Sequence, residues 1–283
     1  MRPALRTCAT LLLALSLLNA CAQRENPGRH LVAHRRIVSL IPSLTEDLFA
    51  IGAGSQIVGV DQVANYPPAV QRLPKVSSFS TIDIERIVRL HPDLVVGIPA
   101  QARLTTPLRN LGIATVLMND DSFDDVFADL TVLGRLSGRS GEARAVSKQL
   151  RATTARLQAG NGTRRGVRCF VVLGTNPIIT VGKGSYIARL IELAGGRNAS
   201  DRLQQAYGAY SAEALLRLQP DVLISDRQTH LQDVLQSEPW RSLHAVARNH
   251  VFFIDPPDVL YRPGPRYNEG LSWLIARFKQ TTS

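Results

Sequence analysis

Glu85 and Glu213 hold the same place in two copies of one short motif, IERIVRLHPDLVV (residues 84–96) and AEALLRLQPDVLI (residues 212–224), which share five of thirteen positions. In both copies a cap candidate stands two residues ahead of the acid, Asp83 in the first and Ser211 in the second. A carboxylate in the first turn of a helix is favoured by the helix dipole by roughly 0.3–1 kcal/mol. That preference accounts for each acid singly and leaves the copied helix, Pro-Asp turn and strand unexplained. Two related lobes, each presenting one carboxylate, would suit a partner of two-fold symmetry with two basic sockets. Signals for catalysis are poor by comparison. The six histidines (30, 34, 91, 230, 244 and 250) are scattered, without an H-x-H or H-E-x-x-H spacing for a metal. No G-x-S-x-G elbow occurs. GAGSQIVG closes a helical pattern instead of opening one, with Ile57 where a dinucleotide fingerprint has its third glycine. VGKGS lacks the upstream glycine of a phosphate-binding loop. The chain reads as a binding protein without catalytic residues, cofactor or metal; an exported enzyme or a structural envelope protein are the competitors from other classes.

The elements that must position the two acids follow an alternating pattern. Apolar runs at residues 36–40, 57–60, 93–97 and 114–118 read as strands, and IPSLTEDLFAIGAG reads as a helix closed by Gly52 and Gly54. Their apolarity is continuous, which argues for parallel sheets covered on both faces. The grammar then repeats: a strand at 168–174, a helix SYIARLIELAGG ending on Gly195 and Gly196, and strands DVLIS and VFFID. Between the halves, Ser122 and Asp125 form a capping-box-like start. Ala143, Val146, Leu150, Thr153 and Leu157 mark one face of a long helix beyond it. The expected organisation is an N-terminal α/β lobe over 36–120, a helical segment with a bridging helix over 121–162 and a C-terminal α/β lobe over 163–283.

The first residues stand apart. Arg2 and Arg6 precede the apolar run LLLALSLL, and a small residue, Ala20, precedes Cys21. This describes an export signal over residues 1–21, and LNAC resembles a lipobox with Cys21 as the lipidated residue. Residues 22–35, polar and rich in breakers, read as a tether, which makes the location periplasmic and the protein a membrane-tethered lipoprotein. Cys8 falls in the signal and Cys21 would carry lipid, so Cys169 is left as a lone buried thiol with no disulfide partner. The net charge is +10. Its Lys and Arg residues are dispersed without interleaved aromatics, which excludes a nucleic-acid surface and leaves a mild preference for anions. A monomer is expected.

In this order the motifs resemble those of the periplasmic cobalamin-binding and iron-siderophore-binding proteins of ABC importers, over nearly the whole mature chain. IVSLIPSLTE, NYPP, VSSFS and IERIVRLHPDLVV carry the likeness in the first half. LGTNPIITVGKGS, LIELAGGRN, YSAEALLRLQPDVLI and the closing Trp240, Leu243 and Val246 carry it in the second. The resemblance implies an α/β fold of two Rossmann-like lobes with parallel sheets, joined by one long bridging α-helix, with the ligand in the cleft between them. It implies that Glu85 and Glu213 dock onto arginines of the ABC importer permease dimer at the inner membrane. It puts Phe79, Tyr207, Asp258 and Arg262 against a ligand, cobalamin or another corrinoid. The chain departs from the pattern at Val63 and Leu173, where a Tyr and a Phe are expected. The alternative cargo within the family is a ferric siderophore or haem: Arg262 and Arg266 would pair with an anionic chelate, and Tyr207 or Tyr210 would offer a phenolate to iron.

Overall fold

Residues 33–78, 80–161 and 166–281 are described by the computed structural model of the chain. The expectations for Cys21, the export signal and Phe79 fall outside the described residues. The apolar runs form strands buried on both faces. β1 (Ile37–Ser39), β2 (Ile57–Asp61), β3 (Lys75–Ser77), β4 (Leu94–Gly97) and β5 (Ala114–Leu117) make an all-parallel sheet in the order β3-β2-β1-β4-β5. Alternate side chains enter opposite cores: Ile37, Leu94 and Val96 on one side, Val38 and Val95 on the other. In the second lobe β6 (Val167–Val171), β9 (Gly196–Asn198), β11 (Val222–Ser225) and β12 (Val251–Phe253) form a parallel sheet ordered β12-β11-β6-β9. Strand for strand, β2-β1-β4-β5 and β9-β6-β11-β12 have the same plan.

Helices cover both sheets. α1 (Pro42–Ala50) packs on one face of the first sheet, and α2 (Ile84–Arg89) and α3 (Ala102–Asn110) pack on the other. α4 (Asp125–Leu136) and α5 (Ser140–Ala159) connect the lobes. α6 (Tyr186–Leu193), α7 (Ala212–Leu218), the one-turn helices α8 (Leu231–Val234), α9 (His244–Ala247) and α10 (Asp258–Tyr261), and α11 (Tyr267–Gln280) enclose the second sheet.

The repeated motif is repeated in its hydrogen bonds. Asp83 accepts from the Arg86 amide at 2.9 Å and Ser211 from the Ala214 amide at 3.1 Å, so each caps its helix. Both helices leave through a left-handed residue, His91 and Gln219, each at φ 45°. The Arg36 guanidinium donates to the carbonyls of Leu90 and His91; that of Arg168 donates to Leu218 and Gln219. Asp93 accepts from the Arg36 amide at 3.3 Å and Asp221 from the Arg168 amide at 2.7 Å, tying each turn to the neighbouring strand. These shared bonds explain why the turn keeps its Asp in both copies.

A third sheet, β10-β8-β7, is antiparallel and departs from the all-parallel expectation. Its strands, β7 (Gly174–Thr175), β8 (Ile178–Val181) and β10 (Tyr207–Ala209), span two to four residues, too short to set a period. β9 is short and polar, GRN, and is a strand only through its ladder with β6.

The bridge forms as expected. The Asp125 carboxylate accepts from the Ser122 amide and hydroxyl, both at 2.8 Å, and the Ser122 hydroxyl accepts from the Asp125 amide at 3.3 Å. α5 has 20 residues, about 30 Å of helix at 1.5 Å per residue. Ala143 and Val146 pack into the first core, Leu157 into the second, and Leu150 against both. Thr154, not Thr153, is its buried threonine. The Thr154 hydroxyl meets the Tyr267 hydroxyl at 2.7 Å and donates to Asn268 at 2.9 Å, which locks the bridge to α11.

Candidate functional site

Open α/β sheets place ligands beyond the carboxyl ends of their strands. Here α1 leaves β1, the loop 62–67 leaves β2, residues 118–121 leave β5, and α10 follows β12, so segments of both lobes converge. The convergence is polar. Glu46 on α1 has only 2% of its side chain exposed and accepts from Arg266 at 2.7 and 2.9 Å and from Arg262 at 3.1 Å. Arg262 also donates to the Asn65 side-chain oxygen at 2.7 Å and to the Val63 carbonyl at 3.1 Å, and pairs with Asp258 at 3.0 Å. Asn65 donates to Asp258 at 2.8 Å, and the Arg266 guanidinium lies 4.0 Å from the centre of the Tyr66 ring. Charge-assisted, paired bonds of this kind are the strong ones. Glu46, Val63, Asn65 and Tyr66 of the first lobe are thereby joined to Asp258, Arg262 and Arg266 of the second.

Asp258 and Arg262, expected at the ligand, are therefore bonded across the lobes, and a ligand would meet them with their charges already compensated. The apolar surface at the junction lies beside them: Val63 is 60% exposed and Tyr66 43%. Tyr207, on β10, is 37% exposed. Loss of solvent and then the charges of Asp120 and Asp121 push its phenol up to about 12. Those acids follow β5 of the first lobe, so Tyr207 faces the junction from the second.

Behind the network lies a run of acids. Asp47, next to Glu46, is fully buried, and its carboxylate oxygens have no hydrogen-bond partner among the described residues. Burial, then the charges of Asp129 and Glu46, raises its pKa well above the carboxylate range. Asp129 on α4 is pushed up to about 8 by burial and then by Asp125 and Asp120. Asp120 is pushed up to about 6 by burial and then by Asp121 and Asp125. Burial and neighbouring carboxylates thus favour the neutral form of both Asp47 and Asp129.

Sequence reasoning gave no role to Glu46, Asn65 or Tyr66, although each lies in a motif that carried the resemblance. One signal was present: a nine-residue helix with Leu44 and Leu48 buried also carries adjacent Glu46 and Asp47, and buried acids demand partners. Cys169 is buried, as expected, and burial pushes its thiol up. Among the described residues no cluster of His, Cys, Asp and Glu could hold a metal ion, and no helix is long and apolar enough to cross a membrane.

The acids of the repeat lie elsewhere. Glu85 and Glu213 stand exposed in the first turns of α2 and α7. Glu85 approaches Arg89 at 3.7 Å with both side chains mostly in solvent, a contact of little energetic weight.

Comparison with known proteins agrees with this architecture. Residues 37–257 match a family model described as periplasmic binding protein. The vitamin B12-binding protein of Vibrio parahaemolyticus is 29% identical over 233 residues, 82% of this chain and 84% of that one. The crystal structure of the periplasmic vitamin B12 binding protein BtuF of Vibrio cholerae superposes with a TM-score of 0.76 at 27% identity, covering 88% of this chain and 98% of that one. The periplasmic heme-binding protein RhuT from Roseiflexus sp. RS-1, in apo form, superposes with a TM-score of 0.77 at 26% identity, covering 88% and 99%.

Proposed function

This chain belongs to the periplasmic binding protein family, and from that premise we propose that it is the substrate-binding protein of an ABC importer, capturing cobalamin or a related corrinoid between its lobes and delivering it to the permease dimer. It performs no chemistry on the cargo. Residues 1–21 direct export, Cys21 carries lipid, residues 22–35 are the tether, and Glu85 and Glu213 dock on the permease, one from each lobe.

The observation that carries the choice of cargo is the compensation of charge at the lobe junction. An anionic ferric chelate requires uncommitted cations, yet Arg262 and Arg266 are both engaged by Glu46. Two tyrosines could offer haem iron a phenolate. Tyr210 packs on Phe170 within the second lobe, and burial, then Asp120 and Asp121, push the Tyr207 phenol up to about 12, which disfavours its phenolate. An uncharged amide rim and a flat macrocycle suit what remains, namely aromatic and aliphatic surface at Tyr66, Val63 and Tyr207 bordered by hydrogen-bonding groups. The name of the Vibrio parahaemolyticus relative supports the same cargo. A ferric siderophore or haem is the second reading, favoured by the likeness to the heme-binding structure.

Uptake tests delivery. In a strain of the source organism deleted for this gene, cobalamin uptake at nanomolar external concentration should fall at least tenfold. The native gene should restore it, and a gene carrying Glu85→Ala with Glu213→Ala should not. Unchanged uptake in the deletion strain would refute the proposal.

A further inference from the structure

The second lobe holds a concavity of about 690 Å³ lined by its own residues. Its walls come from residues 168–218 alone, and they include Arg168, Arg197, Arg202 and Arg217 against a single acid, Asp201. Arg168 is committed to the helix-end carbonyls of Leu218 and Gln219. Arg197 reaches Asp201 only at 3.7 Å, with both side chains more than half exposed. Arg202 and Arg217 form no ion pair with any described residue. Like charges gathered in a concave wall focus the field and attract an anionic partner more strongly than the same charges spread over a convex surface.

The position of the groove indicates where the anion comes from. One wall is Ser211, Ala214, Arg217 and Leu218, the turn-by-turn face of α7, and Glu213 lies on the same helix beside it. The two copies of the motif also differ at this point. Each carries an Arg four residues after its Glu, Arg89 after Glu85 and Arg217 after Glu213. Arg89 turns back to its Glu at 3.7 Å, whereas Arg217 lines the groove and leaves Glu213 without an ion pair among the described residues. A partner that offers a basic group to Glu213 must therefore lie over an arginine groove within the same contact.

We propose that this groove receives an acidic segment of the docking partner, so that contact at the second lobe combines Glu213 with Arg197, Arg202 and Arg217 in opposite polarity. The inference rests on the docking role proposed for Glu85 and Glu213. Opposed charges side by side would set the orientation of encounter and reject a partner surface of uniform sign.

The test uses the full protein with the permease complex purified from the source organism, reading the protein concentration that gives half-maximal stimulation of ATP hydrolysis. Arg202→Glu with Arg217→Glu is expected to raise that concentration at least tenfold at low salt, with the difference shrinking at high salt. Arg202→Gln with Arg217→Gln should give a smaller shift in the same direction. A control with the same change in charge elsewhere, Arg103→Glu with Arg144→Glu, should stay within twofold of the native protein. Cobalamin affinity should be the same in every variant. A groove double variant indistinguishable from the control overturns the inference. If Glu85→Ala with Glu213→Ala stimulates normally while the arginine variant fails, the glutamate docking role is wrong and the groove remains the contact. Titration with inorganic pyrophosphate covers the other occupant: binding that needs Arg202 and Arg217, with stimulation unchanged in the arginine variant, assigns the groove to a free small anion and overturns the proposed partner.

Discussion

Glu46 is the residue on which the junction of the lobes depends. Its carboxylate is nearly inaccessible and satisfies two guanidinium groups that lie 216 and 220 positions away in sequence. Removing one member of a buried pair leaves the others uncompensated, at a cost of roughly 3–5 kcal/mol. Glu46→Ala should accordingly lower the melting temperature by roughly 10 °C. Arg262→Ala, which leaves the bidentate Arg266–Glu46 pair in place, should cost less, as calorimetry can establish. The two sides of this network were unequally legible. Asp258 and Arg262 stood out through family likeness, while the partner of Glu46 could not be found from spacing, since no periodicity relates residues so distant.

At the scale of elements, the packing of α1 on α4 brings Asp47 and Asp129 into electrostatic contact without basic compensation. Both pKa values are raised in the folded protein, so the native state holds protons that the unfolded chain releases near pH 4. Stability from this pair is complete below about pH 4 and declines as pH rises toward the folded value of about 8 at Asp129. Asp129→Asn removes that titration. The variant should therefore lose less stability than the native protein between pH 5 and pH 8.5, which urea unfolding at the two pH values can measure; parallel losses would contradict the coupling. Elements were legible where apolar runs met clear stop signals, as in β1, β4, β6 and β11, in α4 with its Ser122–Asp125 box and in the periodic face of α5. β7, β9 and β10 were not, because their pairing and not their composition makes them strands; β8 is the apolar run IITV and was open to a strand reading. The repeated motif was the most informative sequence feature: Arg36 with Asp93 and Arg168 with Asp221 reproduce one set of bonds in both lobes.

Across the whole molecule, two sheets of the same plan are held by α5, whose contacts run continuously from one core to the other through Leu150. With the Glu46 network also joining the lobes, such a bridge should restrict the lobes to small rearrangements, and ligand entry should involve the surface at Tyr66, Val63 and Tyr207 more than a wide hinge. The compensated arginines Arg262 and Arg266 favour an uncharged cargo over an anionic one, and the proposal that this cargo is a corrinoid is the central claim. Its most direct test is an absorbance titration of the purified protein with cobalamin, cobinamide, haem and several ferric siderophores. Saturable one-to-one binding of cobalamin or cobinamide, with none of haem or the siderophores, is the predicted result. Saturable binding of haem or a siderophore without any corrinoid binding would contradict it.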